Sequence, residues 1–368
     1  MSSSYSHETF QLNNIHFTFE DVVNGKQNGF STFEKEFIQF IRKWWTGESS
    51  YFFHTSGSTG KPKLIKATRH QLLQSAALTQ QFFNYQPTGT SLIVLPIQYI
   101  AAKMQVVRAW RSGMKIMAFE PSANPFLPLD PMSPFETTSL VPYQLETILS
   151  SPVAGILNNF KNILVGGAPI HPTLSLKLKD IKAHVYGTFG MTETFSQIAL
   201  RKLNGDNADE IFTTLPGIVI EEDKRGCLSI HAPFLKNPLH THDLIEKVSD
   251  QRFIWKGRID HVINSGGIKI SPEKIERDLR KQQLDSIKER NFLIGPMPDK
   301  KLGQKVVMII EGIPIENIEE ISQKLGEILS PHERPREILF LENFFYTPSG
   351  KVNRKKTFKK IFPANLNL

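Results

Sequence analysis

The segment Phe53-His54-Thr55-Ser56-Gly57-Ser58-Thr59-Gly60-Lys61-Pro62-Lys63 gathers hydroxyls, glycines and lysines in a stretch too polar for a core. Tyr51, Phe52 and Phe53 lead into it and read as the end of a buried strand, and a helical pattern follows at Gln71-Leu72-Leu73. A strand that opens into such a loop aims free backbone N–H groups and hydroxyls at one point. That arrangement holds phosphate oxygens, with the lysines neutralising their charge. The loop is not the nucleotide motif that needs four residues before its Gly-Lys-Ser/Thr, because only Ser58 and Thr59 separate Gly57 from Gly60-Lys61 and Pro62 follows. The competing reading is a surface linker of ordinary turn residues.

Four further segments carry chemistry. Ile163-Leu164-Val165 runs into Gly166-Gly167-Ala168-Pro169, small residues against which a flat ring could lie. Tyr186-Gly187-Thr188-Phe189-Gly190-Met191-Thr192-Glu193-Thr194 joins aromatics, glycines and hydroxyls to one carboxylate. His240-Thr241-His242-Asp243 leaves an acid in a short polar turn, and Pro348-Ser349-Gly350-Lys351 presents a lysine on a turn. Each has a plainer alternative. Glu193 could serve as a cap or a salt bridge. The two histidines with Asp243 could form a metal cluster. Lys351 could be one more solvated cation beside Arg354, Lys355 and Lys356, and Cys227 reads as a packing residue of a hairpin.

The elements that must position these residues follow from hydrophobic periodicity. An amphipathic helix is expected over Phe33 to Trp45. Apolar runs at 92–95, 115–118 and 162–165, separated by helical stretches, predict parallel strands buried on both faces. Residues 120–135 are proline-rich and read as an extended connection. Near residue 211 the character changes to antiparallel hairpins, with a turn at Asp223-Lys224-Arg225-Gly226. A second unit has a hairpin at Ser265-Gly266-Gly267, a helix starting at Ser271-Pro272-Glu273, and strands at 291–294 and 306–310. The expected class is α/β. A domain over 1–257 would carry parallel sheets with helices and a small β-barrel-like part, and a small mobile α+β domain would cover 258–368.

Composition narrows the function classes. With 368 residues and 40% hydrophobic content the chain can build two cores. Its single cysteine, the lack of an apolar leader and the lack of any apolar run long enough to span a bilayer point to a soluble cytoplasmic protein. The net charge of +8 favours anionic ligands such as nucleotides, coenzyme A or carboxylates. Nucleic acid is not expected, because neither aromatic-basic RNA motifs nor finger spacings occur.

Taken together, these segments resemble the adenylate-forming superfamily of acyl- and aryl-CoA synthetases, luciferase and peptide-synthetase adenylation domains, over roughly residues 51 to 356. The matching motifs are Thr55 to Lys63, Gly190 to Thr194, Gly257-Arg258-Ile259-Asp260 with Gly266, Gly267, Pro272 and Glu273, and Pro348 to Lys351. The resemblance implies ATP, Mg²⁺ and coenzyme A as partners of a carboxylic acid. Thr55, Ser56, Gly57, Ser58, Thr59, Gly60 and Lys61 would hold the β- and γ-phosphates. Thr192 would bond the α-phosphate and Glu193 would hold Mg²⁺. Gly167, Ala168 and Pro169 would flank adenine, with Phe189 stacking on it beside Gly190. Asp243 would accept the ribose hydroxyls with support from Arg258, and Lys351 would bridge carboxylate and α-phosphate oxygens. Asp260 matches the hinge, and the Gly266-Gly267 loop would line a channel for the pantetheine arm.

Departures from the family pattern bear on the acid. Only about fifty residues precede the phosphate loop, so the adenylation domain is expected to be compact. Leu95-Pro96-Ile97-Gln98-Tyr99 has tyrosine where the family often has histidine, Lys103 and Arg108 follow among apolar residues, and Asn264 replaces the usual hinge-strand lysine. This combination is similar to the compact o-succinylbenzoate–CoA ligases. That resemblance implies an aromatic dicarboxylate whose second carboxylate meets Lys103 or Arg108, while Tyr99, Ile100 and Met104 pack the ring. The competing readings are another aryl- or acyl-CoA ligase, an enzyme that loads a carrier protein, and an inactive nucleotide-binding protein.

Overall fold

The computed structural model describes residues 9–25, 30–54, 63–170, 172–206, 208–282, 284, 285, 287, 290–315, 318–347 and 352–362. The phosphate-loop residues 55–62 and Lys351 therefore lie outside the described residues.

A mixed sheet of 13 strands dominates the described residues. Its centre is parallel, in the spatial order Lys115–Ala118, Thr90–Ile93, Phe135–Leu140, Phe160–Val165, His184–Met191. Thr9–Leu12 adds a parallel strand beside Lys115–Ala118, and Ile15–Thr18 closes that edge. At the other side Ser196–Lys202 turns antiparallel, followed by Ile211–Thr214, Arg252–Arg258, Leu239–Ser249, Cys227–His231 and Val219–Glu222. The antiparallel hairpins expected as a barrel-like part thus continue the parallel sheet. The hydrogen-bond ladder passes without a break from Thr188 to Leu200 to Thr213 to Arg252.

Both faces of the parallel region are covered, so its strands are largely buried, the polar run Glu136 to Ser139 of Phe135–Leu140 included. Helices Thr32–Trp45, Arg69–Phe83 and Ile100–Ser112 pack one core on one face, and Pro142–Leu149 and Pro172–Lys177 build a second core with the parallel strands. Local signals start two of the helices. Ser31 caps Thr32–Trp45 through Glu34, and Thr68 caps Arg69–Phe83 through Gln71, each as a reciprocal box. The strand order places Thr90–Ile93 between the strand it feeds next and the later Phe135–Leu140. The carboxyl ends of those two strands therefore flank a topological switch point, where open α/β sheets bind ligands.

One expectation needs correction. The aromatic strand before the phosphate loop belongs to neither large sheet. Ser50–His54 pairs with Leu64–Thr68 as a separate hairpin, and it is only half buried, with Tyr51 and Phe53 inward and Phe52 at 53% exposure. A run of aromatics cannot distinguish a fully buried strand from one with an outward residue; the alternation is set by what packs against it.

The first sheet ends at Arg258, and after the turn Ile259–His261 a second sheet forms from Ile263–Ser265, Ile268–Ile270, Phe292–Asp299, Gly303–Glu311 and Glu337–Leu341. It has its own cores with helices Pro272–Lys281, Ile318–Ile328 and Arg354–Ile361. Gly266 and Gly267 sit at φ 58° and 83°, the two left-handed positions of a two-residue hairpin, which only residues such as glycine adopt without strain. Glu276 accepts from Arg354 at 2.8 and 2.9 Å and from the Ile294 N–H at 2.7 Å, and Arg354 also donates to the Ile294 carbonyl. This closed cycle roots the last helix on helix Pro272–Lys281. Removing one partner leaves an uncompensated charge at side chains only 18% and 13% exposed. Arg354→Met should therefore cost about 3 kcal/mol of stability in urea titration, and the double variant with Glu276→Met should recover most of that loss.

Candidate active site

The loops at the carboxyl ends of the parallel strands form a row. They comprise Val94–Tyr99, Val141, Gly166–Ile170 and the 3-10 turn Thr192–Thr194. The Gly166 N–H donates to the Leu140 carbonyl at 3.1 Å, and Gln144 Nε2 donates to the Val94 carbonyl at 3.2 Å, so neighbouring loops are tied together. Tyr99, Gly167, Ala168, Pro169, Thr192 and Glu193 all belong to this row, and Gly190 lies near the end of the strand before it. Tyr99 precedes helix Ile100–Ser112 and is 38% exposed.

Backbone geometry at the Thr192–Thr194 turn is unusual. Phe195 and Ser196 both have positive φ, 52° and 104°, although neither is glycine, and the ladder is bulged between Gln197 and Ala199. Such residues persist only where their surroundings hold them, and they concentrate at functional sites. The surroundings here are explicit. Thr194 Oγ1 donates to the carbonyl of Ser196 at 2.7 Å and accepts from the Met191 N–H at 3.0 Å, and the Phe195 carbonyl accepts from Ser75 Oγ at 3.3 Å. Gly190 is required by the same packing, since a Cβ there would stand 2.2 Å from the Ser196 carbonyl oxygen. The turn leaves Thr192 and Glu193 half-exposed. Glu193 has no ion pair among the described residues, and no group of three or more potential metal-ligating side chains occurs among them. A lone carboxylate of this kind fits Mg²⁺, which takes one or two carboxylates and fills its remaining positions with phosphate oxygens and water.

Behind the turn lies Arg108, 3% exposed, on helix Ile100–Ser112. Its Nη2 donates to Ser196 Oγ and Gln197 Oε1, both at 2.6 Å, while its Nε is buried without a partner. Gln197 in turn donates to Thr79 Oγ1 at 3.3 Å. Among the described residues no carboxylate pairs with Arg108, and burial pushes its pKa down to about 10, so it stays charged at neutral pH. Lys103 is five positions away, about 140° around an ideal helix. Its Nζ lies over the rings of Phe53 and Phe40 at 5.3 and 6.0 Å, and burial lowers its pKa. The two cations suggested for one carboxylate therefore face different surroundings.

A second cluster lies where the antiparallel strands meet the second sheet. Asp243, 8% exposed, accepts from Trp255 Nε1 at 2.9 Å. Burial raises its pKa, against the effects of Trp255 and Arg258. Arg258 turns its fork to Asp260, donating from Nε and Nη2 at 3.0 and 2.9 Å. Burial of Asp260 opposes its charge, but Arg258 outweighs that effect and leaves its carboxyl below the usual range. His242 Nδ1 stands 3.6 Å from Asp260, and His261 Nδ1 stands 2.5 Å from Glu273. Exposed His240 and His242 alternate with buried Thr241 and Asp243, so the histidines point away from the acid that would have completed a metal cluster.

Cross-strand register links the two clusters. Gly187 opposes Arg201, and Phe212 opposes Phe253, in adjoining strands of one face. Phe189 meets the rings of Phe212 and Phe253 edge-on at 5.4 and 5.2 Å, Arg201 lies 5.3 Å over Phe212, and Ile170 stands beside Gly187, where a Cβ would come within 2.9 Å of it. Trp255, two residues from Phe253, continues this face toward Asp243. Sequence reasoning did not pick out Trp255, Arg201, Ser196 or Gln197. A tryptophan at alternate spacing from Phe253, two residues before Gly257-Arg258, was the one signal available for the first of them.

Comparison with known proteins places this arrangement. A family model described as AMP-binding enzyme matches residues 23–221, more than half of the chain. The chain belongs to the AMP-binding enzyme family. This AMP-binding enzyme is 35% identical to an acyl-CoA synthetase (AMP-forming)/AMP-acid ligase II-like protein from Dyadobacter fermentans, with TM-score 0.60, over 92% of this chain and 97% of that one. It is 26% identical to the 2-succinylbenzoate–CoA ligase of Lactococcus lactis over 82% of this chain and 69% of that protein. It shares its fold with o-succinylbenzoate coenzyme A synthetase from Bacillus subtilis in complex with ATP and magnesium ion, at 21% identity and TM-score 0.70, over 83% of this chain and 69% of that one. No helix among the described residues of this family member is long and apolar enough to cross a membrane.

The turn at Thr192–Thr194 predicts a sharp response. Gly190→Ala must displace the Ser196 main chain, so it should lower stability by about 1–3 kcal/mol, read as a fall in the thermal midpoint.

Proposed function

We propose that this AMP-forming acid–CoA ligase activates an aromatic dicarboxylate of the o-succinylbenzoate type. In the first half-reaction the substrate carboxylate attacks the α-phosphate of ATP, forming an acyl-adenylate and releasing pyrophosphate. In the second the thiol of coenzyme A attacks the acyl carbon and AMP leaves. Both attacking and attacked groups of the first step are anionic, so the site must place positive charge and hydrogen-bond donors where the negative charges meet.

The roles follow the residues. Thr55, Ser56, Gly57, Ser58, Thr59, Gly60 and Lys61 would bind the β- and γ-phosphates. Thr192 would donate to the α-phosphate, and Glu193 would hold Mg²⁺, which neutralises phosphate charge when bound. Gly167, Ala168 and Pro169 would border adenine across from Phe189, and Asp243 would accept from the ribose hydroxyls. Lys351 would stabilise the charge of the adenylation transition state. The two units, 1–257 and 258–368, would reorient about Asp260, so that Lys351 serves the first half-reaction and the Gly266-Gly267 turn lines the thiol's approach in the second. The Arg258–Asp260 pair supports a hinge at this point, because a partly exposed ion pair contributes little to stability and can be released when the turn between the two sheets moves.

The observation that carries the substrate assignment is Arg108. A buried guanidinium costs heavily without a counter-charge, and this one has two neutral oxygen acceptors and an unsatisfied Nε beside the bulged turn. The second carboxylate of a substrate would supply the missing charge. Lys103, held over two aromatic rings, is less suited to that task. The 2-succinylbenzoate–CoA ligase relative points to the same acid.

Carboxylate-dependent ATP–pyrophosphate exchange with o-succinylbenzoate, benzoate and a medium-chain acid tests the reading. The dicarboxylate should be the best substrate. Arg108→Met should raise its KM by at least about tenfold, and by a clearly larger factor than for benzoate, whose activity falls only through loosening of the bulged turn. Benzoate or the medium-chain acid exceeding it in kcat/KM would defeat the assignment. Free coenzyme A as acceptor separates this activity from carrier-protein loading. In the two half-reactions, Lys351→Ala should abolish adenylate formation yet still convert a supplied acyl-adenylate to thioester. Gly267→Leu should do the reverse. Gly267→Asn, which tolerates the turn's positive φ, controls for strain. Equal loss of both halves in Lys351→Ala would contradict its role.

A further inference from the structure

Trp255 makes two kinds of contact, one through its side chain and one through its main chain. Its indole Nε1 donates to Asp243 Oδ1 at 2.9 Å, and its own carbonyl accepts from Arg277 Nη1 at 3.2 Å. The next carbonyl, Lys256, accepts from Ser271 Oγ at 2.8 Å, the same hydroxyl that caps helix Pro272–Lys281. That helix is further held by Glu210, whose carboxylate lies 2.6 Å from Lys281 Nζ and 3.7 Å from Arg277 Nε. One strand residue therefore fixes a buried carboxylate with its side chain while the second unit grips its main chain.

We infer that Trp255 is a positioning residue that couples the seating of helix Pro272–Lys281 to nucleotide affinity. This rests on the proposed role of Asp243 as the ribose acceptor. A carboxylate with no fixed donor rotates about its last bond, and a donor on Oδ1 sets its plane and leaves Oδ2 turned toward a ligand. If the helix leaves, Arg277 and Ser271 release the Trp255 and Lys256 carbonyls, and the indole loses the main-chain frame that aims it. Binding energy at the nucleotide then reports the orientation of the second unit, and by linkage the nucleotide favours that orientation.

The charged and titratable groups facing Asp243 are Arg258 and Asp260 from its neighbouring strand and turn, Glu273 from the helix, and Cys227 from the strand on its other side. None of them is altered by changing Trp255, so a shift in the pH profile isolates the indole. The N–H bond favours the charged carboxylate. Without it the Asp243 pKa rises further, and the acid limb of nucleotide binding moves to higher pH.

The test is AMP binding to the full-length protein by calorimetry across pH, with a melting curve for each variant. Trp255→Phe should weaken AMP about tenfold and move the acid limb upward. Arg277→Met, which leaves both the indole and Asp243 in place, should weaken AMP about fivefold. In an Asp243→Asn background Trp255→Phe should add less than about twofold, because the two act through one bond. Unchanged affinity and pH profile in Trp255→Phe, or an undiminished loss in the Asp243→Asn background, would overturn the positioning role. An Arg277→Met protein that binds AMP like the wild type would overturn the coupling, and it keeps that part testable should Trp255→Phe fail to fold. Wild-type protein that binds no AMP would instead defeat the functional reading on which the inference stands.

Discussion

A guanidinium sealed beneath a sheet demands hydrogen-bond acceptors, and the acceptors available to Arg108 exist only because the main chain is strained. Ser196 and Gln197 reach it from a bulged segment whose first residues are held in left-handed conformations. The bulge in turn leaves the Thr192–Thr194 turn standing at the end of the parallel run with Glu193 uncommitted, and it brings the Ser196 carbonyl so close to Gly190 that no side chain fits there. The proposed catalytic turn, the proposed substrate cation and the family's glycine are one packing solution.

The same logic of shared groups joins the two sheets. Between the first and second sheets there is little chain, Ile259–Val262, and the groups around it are polar or ionisable: Arg258, Asp260, His261 and Glu273. The Arg258–Asp260 pair is partly exposed, and pairs of that kind contribute little to stability. Such a junction suits the proposed reorientation better than an apolar seam, which would resist being opened. The helix that crosses it, Pro272–Lys281, grips the first unit through main-chain carbonyls and one carboxylate, contacts that can be released as a set.

Much of the local structure was legible in the residues. The helix start at Ser271-Pro272, the glycine pair at 266–267 and the turn at 223–226 each follow from a constraint a few residues long, and each stands where expected. The parallel strands at 90–93, 115–118 and 160–165 were legible from their apolar runs, whereas Phe135–Leu140, which buries Glu136, Thr137, Thr138 and Ser139, and His184–Met191 carry no such run and were not. Less legible were the separate hairpin Ser50–His54 with Leu64–Thr68 and the continuation of the parallel sheet into antiparallel strands. A short apolar segment pairs equally well with several partners, and only the assembled sheet selects one.

The amino-acid order by itself determined the kind of chemistry available, through hydroxyls and glycines beside lysines, a carboxylate on a tight turn, and an acid ahead of the Gly257–Asp260 segment. It also determined the capped helices and left-handed turns, because those depend on neighbours along the chain. Tertiary structure decided which of Lys103 and Arg108 is buried behind the bulge, that the histidines of 240 and 242 turn away from Asp243, and that Trp255 is the donor which orients that acid. Strand register and burial bring together residues far apart in the chain, and the spacing of residues along a single segment carries no record of the neighbour it will meet.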